Sequence, residues 1–201
     1  SEFMLEVSGC EGVTVQGLTF IGGRTNAVSV EGSRNILLDG IGAFRFGGDA
    51  LHVSSSENVR IEGCRFGTLG HTGMKLSGGG RRTLSPSGYD VRNTIVQDIS
   101  LFRHPYEPAL IFSGCGLNVS HCEFSGSFSS AMRFEGNDIV VEYCHFHDLV
   151  QESDDQGAID IFYNYGYRGN VIRYNLLENI RGGSLHGSAG VRFDDMISGQ
   201  K

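Results

Sequence analysis

A chain of 201 residues with 39% hydrophobic side chains is long enough to bury a sizeable core and fits one elongated domain better than two. Its 30 glycines against 3 prolines and no tryptophan are an uneven mixture. The 16 basic side chains against 23 acidic ones leave a net charge of −7, which argues against a nucleic-acid partner, since phosphate binding needs clustered Lys and Arg. The sequence has neither an apolar run of 18 residues nor a signal-peptide pattern, so neither a membrane partner nor a targeting segment is expected within it.

Ser1-Glu2-Phe3 ahead of Met4 reads as a cloning scar, leaving residues 4–201 as the domain. Along the chain one pattern recurs, from Met4-Leu5-Glu6-Val7 through Ala27-Val28-Ser29-Val30 to Gly190-Val191-Arg192-Phe193. Its starts at 4, 27, 50, 73, 109, 131, 158 and 190 are spaced by 23, 23, 23, 36, 22, 27 and 32 residues. A base period of this size, with insertions, marks a solenoid. Each unit holds a four-residue apolar alternation. A second short run follows, as at Ile36-Leu37-Leu38 and Val59-Arg60-Ile61, with turn-forming Gly and Asn between and no 3.6-residue period. That is an all-β chain, a parallel β-helix of about eight coils, right-handed as parallel crossovers are. At about 4.8 Å per coil it makes a rod of roughly 35 Å, with one longer insertion near residues 77–108.

Alignment by coil sorts the polar residues. Cys64, Cys122 and Cys144 share a column with Leu18, Ile41, Thr94 and Asn175, and the five cysteines read as buried free thiols, because stacked parallel strands place them poorly for a disulfide. Asp98, Asp148 and Asn179 read as a turn ladder satisfying backbone N–H groups. His145 and His147 alternate outward, and with Glu152 and Asp154 nearby a metal site is conceivable there, but the spacing does not support one; no metal ligands are expected. The insertion offers His104, Tyr106 and Arg103 ahead of the next coil as sugar contacts or as a solvated loop.

Period-two parity puts Glu6, Ser29, His52, Lys75, Ile111, Arg133, Asp160 and Arg192 on the outward column of the first strand of each unit. Phe162 and Asp194 also face outward, and Asp195 faces inward unless the strand has already turned. One coil and two residues apart, Asp160 and Asp194 fall roughly 8 Å from each other, a separation at which an acid and a base can flank a water or a glycosidic oxygen. Asp154 and Asp155 join them only if the loop from 152 to 157 folds over the sheet. Against this stands an exposed ion-pair row, Asp160 between Arg133 and Arg192, of little energetic weight.

Four segments, GGGRRTLSPSG, ESDDQGAI, YRGNVIRYNLLENI and VRFDDMISG, together resemble the bacterial right-handed β-helix proteins that include glycoside hydrolase family 141 and its pectate-lyase-like relatives. The resemblance covers nearly the whole chain. It implies a carbohydrate-active enzyme whose paired aspartates come from Asp154 or Asp155 and from Asp194 or Asp195. The sequence departs from the group where Asp160 replaces an aromatic after Gly-Ala-Ile, and in its run of Tyr163, Tyr165 and Tyr167. Because the group continues past Ser198-Gly199, a fragment of a longer protein is expected, and an open last coil offers a route to end-to-end self-association.

The expected partner is a polysaccharide or oligosaccharide. The expected site has Asp154, Asp155, Asp160, Asp194 and Asp195 as catalytic candidates, with Lys75, His104, Tyr106, Arg133, Phe162, Tyr163, Tyr165 and Arg192 as substrate contacts. A glycoside hydrolase needing no cofactor leads. The alternatives are a polysaccharide lyase, with calcium bridging a uronate to the acidic cluster, and a non-catalytic binding or structural solenoid. A polymeric substrate places the full-length protein outside the cytoplasm, extracellular or periplasmic.

Overall fold

A computed structural model describes residues 2–183 and 185–201, so Ser1 of the expected leader lies outside the described residues. Each four-residue alternation becomes a strand because its two apolar side chains can enter the solenoid lumen only if the residue between them faces out. The first strands of the units, among them Phe3–Ser8, Asn26–Glu31, Met74–Gly78, Gln156–Ile161 and Ser188–Phe193, pair in parallel through all eight units. Their register places Leu5, Val28, Leu51, Met74, Leu110, Met132, Ile159 and Val191 in one inward column. Phe3, read as part of the leader, already pairs with Asn26.

Two further faces close each coil. The second carries the column Val15, Leu38, Ile61, Val91, Val119, Val141 and Ile172. The third is a separate seven-stranded sheet, from Thr19–Gly23 to Leu176–Ile180, whose inward column runs Phe20, Ala43, Phe66, Val96, Phe124, Phe146, Leu177. Phe124 stacks on Phe146 at 5.2 Å. These columns form one continuous buried core, and the architecture is the right-handed parallel β-helix that the repeat predicts. In two coils the strands Leu110–Ser120 and Met132–Glu142 run unbroken from the first face into the second. There Gly78, Gly114 and Gly136 stack in register, and a Cβ on Gly136 would strike the Gly114 carbonyl.

Several expectations change in detail. The longer 77–108 span holds a loop on each side of a strand pair, Tyr89–Arg92 and Ile95–Ile99, which are ordinary second- and third-face strands. Of the free thiols, Cys64, Cys115, Cys122 and Cys144 are buried and Cys10 is only half-buried; burial pushes the Cys64 thiol up to about 11. Asp98, Asp148 and Asn179 sit at positive φ. The ladder bond runs between side chains, Asn179 Nδ2 donating to Asp148 Oδ1, rather than to backbone N–H groups. His145 pairs with Glu178, and His147 with Glu123 and Asp148, while Glu152 and Asp154 are engaged elsewhere.

Candidate functional site

The outward column of the first face is in register from Glu6 to Arg192. In its last three coils it becomes a built site. Arg192 is the hub. One nitrogen, Nη2, lies 2.8 Å from Asp155 Oδ1 and also bonds Asp194, while Nη1 lies 4.0 Å from Asp160 Oδ1. Two acceptors on one nitrogen lie within about 6 Å of each other, so the loop carboxylate and the strand-end carboxylate share one cation. Gly157 makes this possible, because a Cβ there would meet the Arg192 side chain at 2.8 Å.

Asp160 is 2% exposed, not a member of a solvated ion-pair row. The reason is packing around it. Arg192 covers it from the next coil, and on the previous coil Arg133 turns aside to Glu135 at 2.9 Å and lies over the Phe162 ring at 4.3 Å. Its Oδ1 has no hydrogen-bond partner. Burial pushes the carboxyl up to about 6, with Asp194 and Asp155 adding to the rise and Arg192 and Arg133 opposing it.

Beside this carboxyl opens a cleft of about 370 Å³. Its floor is Asp160 with the two arginines and Phe162, its acidic side is Asp155, Asp194 and Asp195, and its aromatic side is Tyr106 and Tyr163. The strand has turned by Asp195 (φ 40), which brings that residue to the cleft rather than into the lumen. The backbone ladder outlasts the strands, since Asp194 N donates to the Ile161 carbonyl and Tyr163 N to the Asp195 carbonyl. Tyr106 (φ 61) and Tyr163 (φ 78) hold left-handed backbone and are 59% and 67% exposed. Bulky side chains in that conformation are strained, and such outliers cluster at functional sites.

The remaining candidates lie outside the cleft. Asp154 is a loop cap: its oxygens accept from the backbone N–H of His186 and Asp155 at 3.0 Å, and these bonds, His186 first, hold its carboxyl below the usual range. His104 stacks on Phe128 at 4.4 Å and pairs with Glu152 at 3.1 Å. Tyr165 is exposed on the loop beyond the cleft. Lys75 is 2.8 Å from Asp49 and 3.8 Å from Glu107. Burial works against ionisation of Asp49, yet bonds from His52 and Lys75 keep its carboxyl below the ordinary value.

Two supporting residues escape a reading by parity. Glu107 anchors the loop that presents Tyr106, receiving Thr72 Oγ1 at 2.7 Å and Arg103 at 3.4 Å. Arg81 leaves its glycine-rich loop to lie over the Tyr167 ring at 4.4 Å and to donate to Asn137 at 3.2 Å, clamping the 162–170 segment. The signal available in the sequence is Tyr167 itself, an aromatic inside a loop and immediately before the Arg-Gly-Asn turn. Calcium does not suit this cleft. It would take six to eight oxygens, and the position between the carboxylates is filled by the Arg192 guanidinium; among the described residues no cluster of His, Cys, Asp and Glu is arranged to hold a metal.

Comparison with known proteins agrees with the architecture. A family model described as a right handed beta helix region matches residues 43–195. No curated protein and no solved structure matches the chain.

Proposed function

The chain belongs to the right-handed β-helix family, and on that premise we propose that it is a carbohydrate-active hydrolase cutting a glycosidic bond at Asp160. The reaction class is the one that the resemblance to glycoside hydrolase family 141 implies, but the acid is Asp160, where the resemblance implies Asp154 or Asp155 paired with Asp194 or Asp195. One observation carries it: a buried carboxyl with an unpaired oxygen lies in the lining of a cleft, beside two carboxylates held on one guanidinium.

Two carboxyl groups in unlike environments are how a glycosidase separates its acid from its base. Asp160, with its proton held to about pH 6, donates that proton to the glycosidic oxygen as the bond to the anomeric carbon breaks. Asp194 accepts from Arg192; it takes a proton from the water that attacks the anomeric carbon. The backbone offset between the two residues, one coil and two positions, is roughly 8 Å, and the product anomer tells whether water attacks directly or after a covalent intermediate. Asp155 and Asp195 complete the acidic side, while Tyr106, Tyr163 and Phe162 offer rings to the apolar faces of sugars and Arg133 a donor to their hydroxyls. An acidic cleft of this kind repels uronates, which favours a neutral glycan over a lyase substrate. A polymeric substrate would be met outside the cytoplasm.

The test is a screen of neutral and acidic polysaccharides for release of reducing ends, with the product anomer followed by NMR. Asp160→Asn and Asp194→Asn should each lower kcat by about 10²–10⁴-fold. Hydrolysis unchanged in both variants, or products with ultraviolet-absorbing unsaturated ends, would remove the assignment.

A further inference from the structure

The corner between the second and third faces is made by one residue per coil in the left-handed region: Gly17, Gly40, Gly63 and Asn93, then His121, Tyr143 and Tyr174. The positions are in register, each following the aligned residues from Gln16 to Arg173. Glycine takes this conformation freely and asparagine readily, whereas tyrosine is held there against its preference. In the first three coils the corner closes with no side chain at all, and a Cβ added at Gly17, Gly40 or Gly63 meets nothing nearer than 3.9 Å.

The rings instead form an external staircase. His121 lies 5.2 Å from Tyr143, and Tyr143 lies 5.3 Å from Tyr174, tilted by 25° and 18°, with the two tyrosines 51% and 69% exposed. Two residues further along each coil a second outward row runs Ile95, Glu123, His145, Leu176. Buried Cys122 and Cys144 lie between the rows, and the groove so formed holds about 630 Å³. It lies off the face that carries the cleft.

The rows repeat with the coil, about every 4.8 Å, whereas an extended peptide repeats at about 3.3 Å per residue; the coil repeat is comparable to the advance of one sugar along an extended glycan. Among the described residues no Lys or Arg lines the groove, and the next member of the outward row, Arg65, lies one coil below Ile95. Arg173, beside Tyr174, is paired with Glu142 at 2.7 Å, and the acidic groups present, Glu123 and the Glu178 that bonds His145, disfavour a polyanion. We propose that this groove is a second glycan-binding site, which takes a neutral polysaccharide chain lengthwise. Tyr143 and Tyr174, whose faces stack along the rod, supply ring edges and phenol hydroxyls, and Asn93, Glu123 and His145 supply hydrogen bonds to sugar hydroxyls. The site does not depend on Asp160 being catalytic.

Affinity electrophoresis in gels containing a soluble β-glucan, xylan, galactomannan or polygalacturonate tests it. At least one neutral polymer should retard the protein. Tyr143→Gly/Tyr174→Gly, which suits the left-handed backbone, should keep or raise Tm while weakening the apparent affinity roughly tenfold or more. Tyr143→Asn/Tyr174→Asn carries the same expectation if the glycines loosen the corner. Tyr106→Ala/Tyr163→Ala, which alters the cleft, should leave the retardation in place. The proposal is overturned if no neutral polymer retards the protein, if only polygalacturonate does, if retardation survives loss of both corner rings, or if it vanishes with the cleft rings alone.

Discussion

At the scale of single residues, Asp160 couples stability to pH in the direction opposite to an ordinary salt-bridged aspartate. Its carboxyl is raised from 3.8 to about 6, so the folded protein holds this proton more tightly than the unfolded chain. The contribution is therefore fully present below about pH 4 and is lost as pH rises through 6. The groups that face it are Arg133 and Arg192, which oppose the shift, and Asp155 and Asp194, which add to it. Asp160→Asn removes the titration while keeping the shape. Denaturant unfolding should then show the variant gaining on the wild type between pH 4 and pH 7, most steeply near 5, midway between the two values, and levelling off above 6. The same proton is the one the proposed reaction uses, so kcat/KM of the wild type should fall above about pH 6. A stability difference that is flat with pH would show that the carboxyl does not titrate in this window.

At the scale of elements, loops decide the shape of the cleft and strands only aim it. The 162–170 segment is held from outside its own coil by Arg81, through Tyr167 and Asn137, and Asn137 Nδ2 in turn donates to the Gly166 and Arg168 carbonyls. Arg81→Ala should leave the stacked core intact and free this segment. Hydrogen exchange is expected to quicken at residues 162–169 with little change in the strands, and KM to rise more than kcat falls, because Tyr163 and Phe162 contact substrate rather than the reacting bond. Unchanged exchange there would mean that the clamp is ornamental.

The same division explains what could be read in advance. The outward column from Glu6 to Arg192 follows from a period of two and a repeat of 22 or more residues, and the pairings match it position by position. The burial of Asp160 does not follow from parity, since it depends on where the long side chains of Arg133 and Arg192 lie. Nor does parity place Asp195, because left-handed backbone at Asp195 and Met196 turns the chain after the strand. Asp154 and Asp155 are neighbours in sequence with opposite fates, one capping the loop at His186 and the other on Arg192. That choice is made by a contact 32 residues away.

For the whole molecule, a solenoid distributes stability over nearest neighbours, so its free energy is close to a sum of coil terms and coil-to-coil interfaces. Leu110 and Met132 are fully buried and directly stacked, whereas Val28 and Ile159 occupy the same column five coils apart, a distance of about 24 Å at roughly 4.8 Å per coil. Each Leu or Met to Ala change should cost about 2–5 kcal/mol. In a double-mutant cycle the stacked pair shares one cavity wall, and its combined cost should depart from the sum by at least about 0.5 kcal/mol. The distant pair, Val28→Ala with Ile159→Ala, should add to within about 0.3–0.5 kcal/mol. Strong coupling across five coils would mean that distortion is transmitted along the rod, so that its coils do not act as nearest-neighbour units. The cleft and the corner groove would then stand or fall together, because ligand bound in either would stabilise the other. An array instead predicts that a glycan in the corner groove protects its own coils from hydrogen exchange while leaving those near Phe3–Ser8 unchanged.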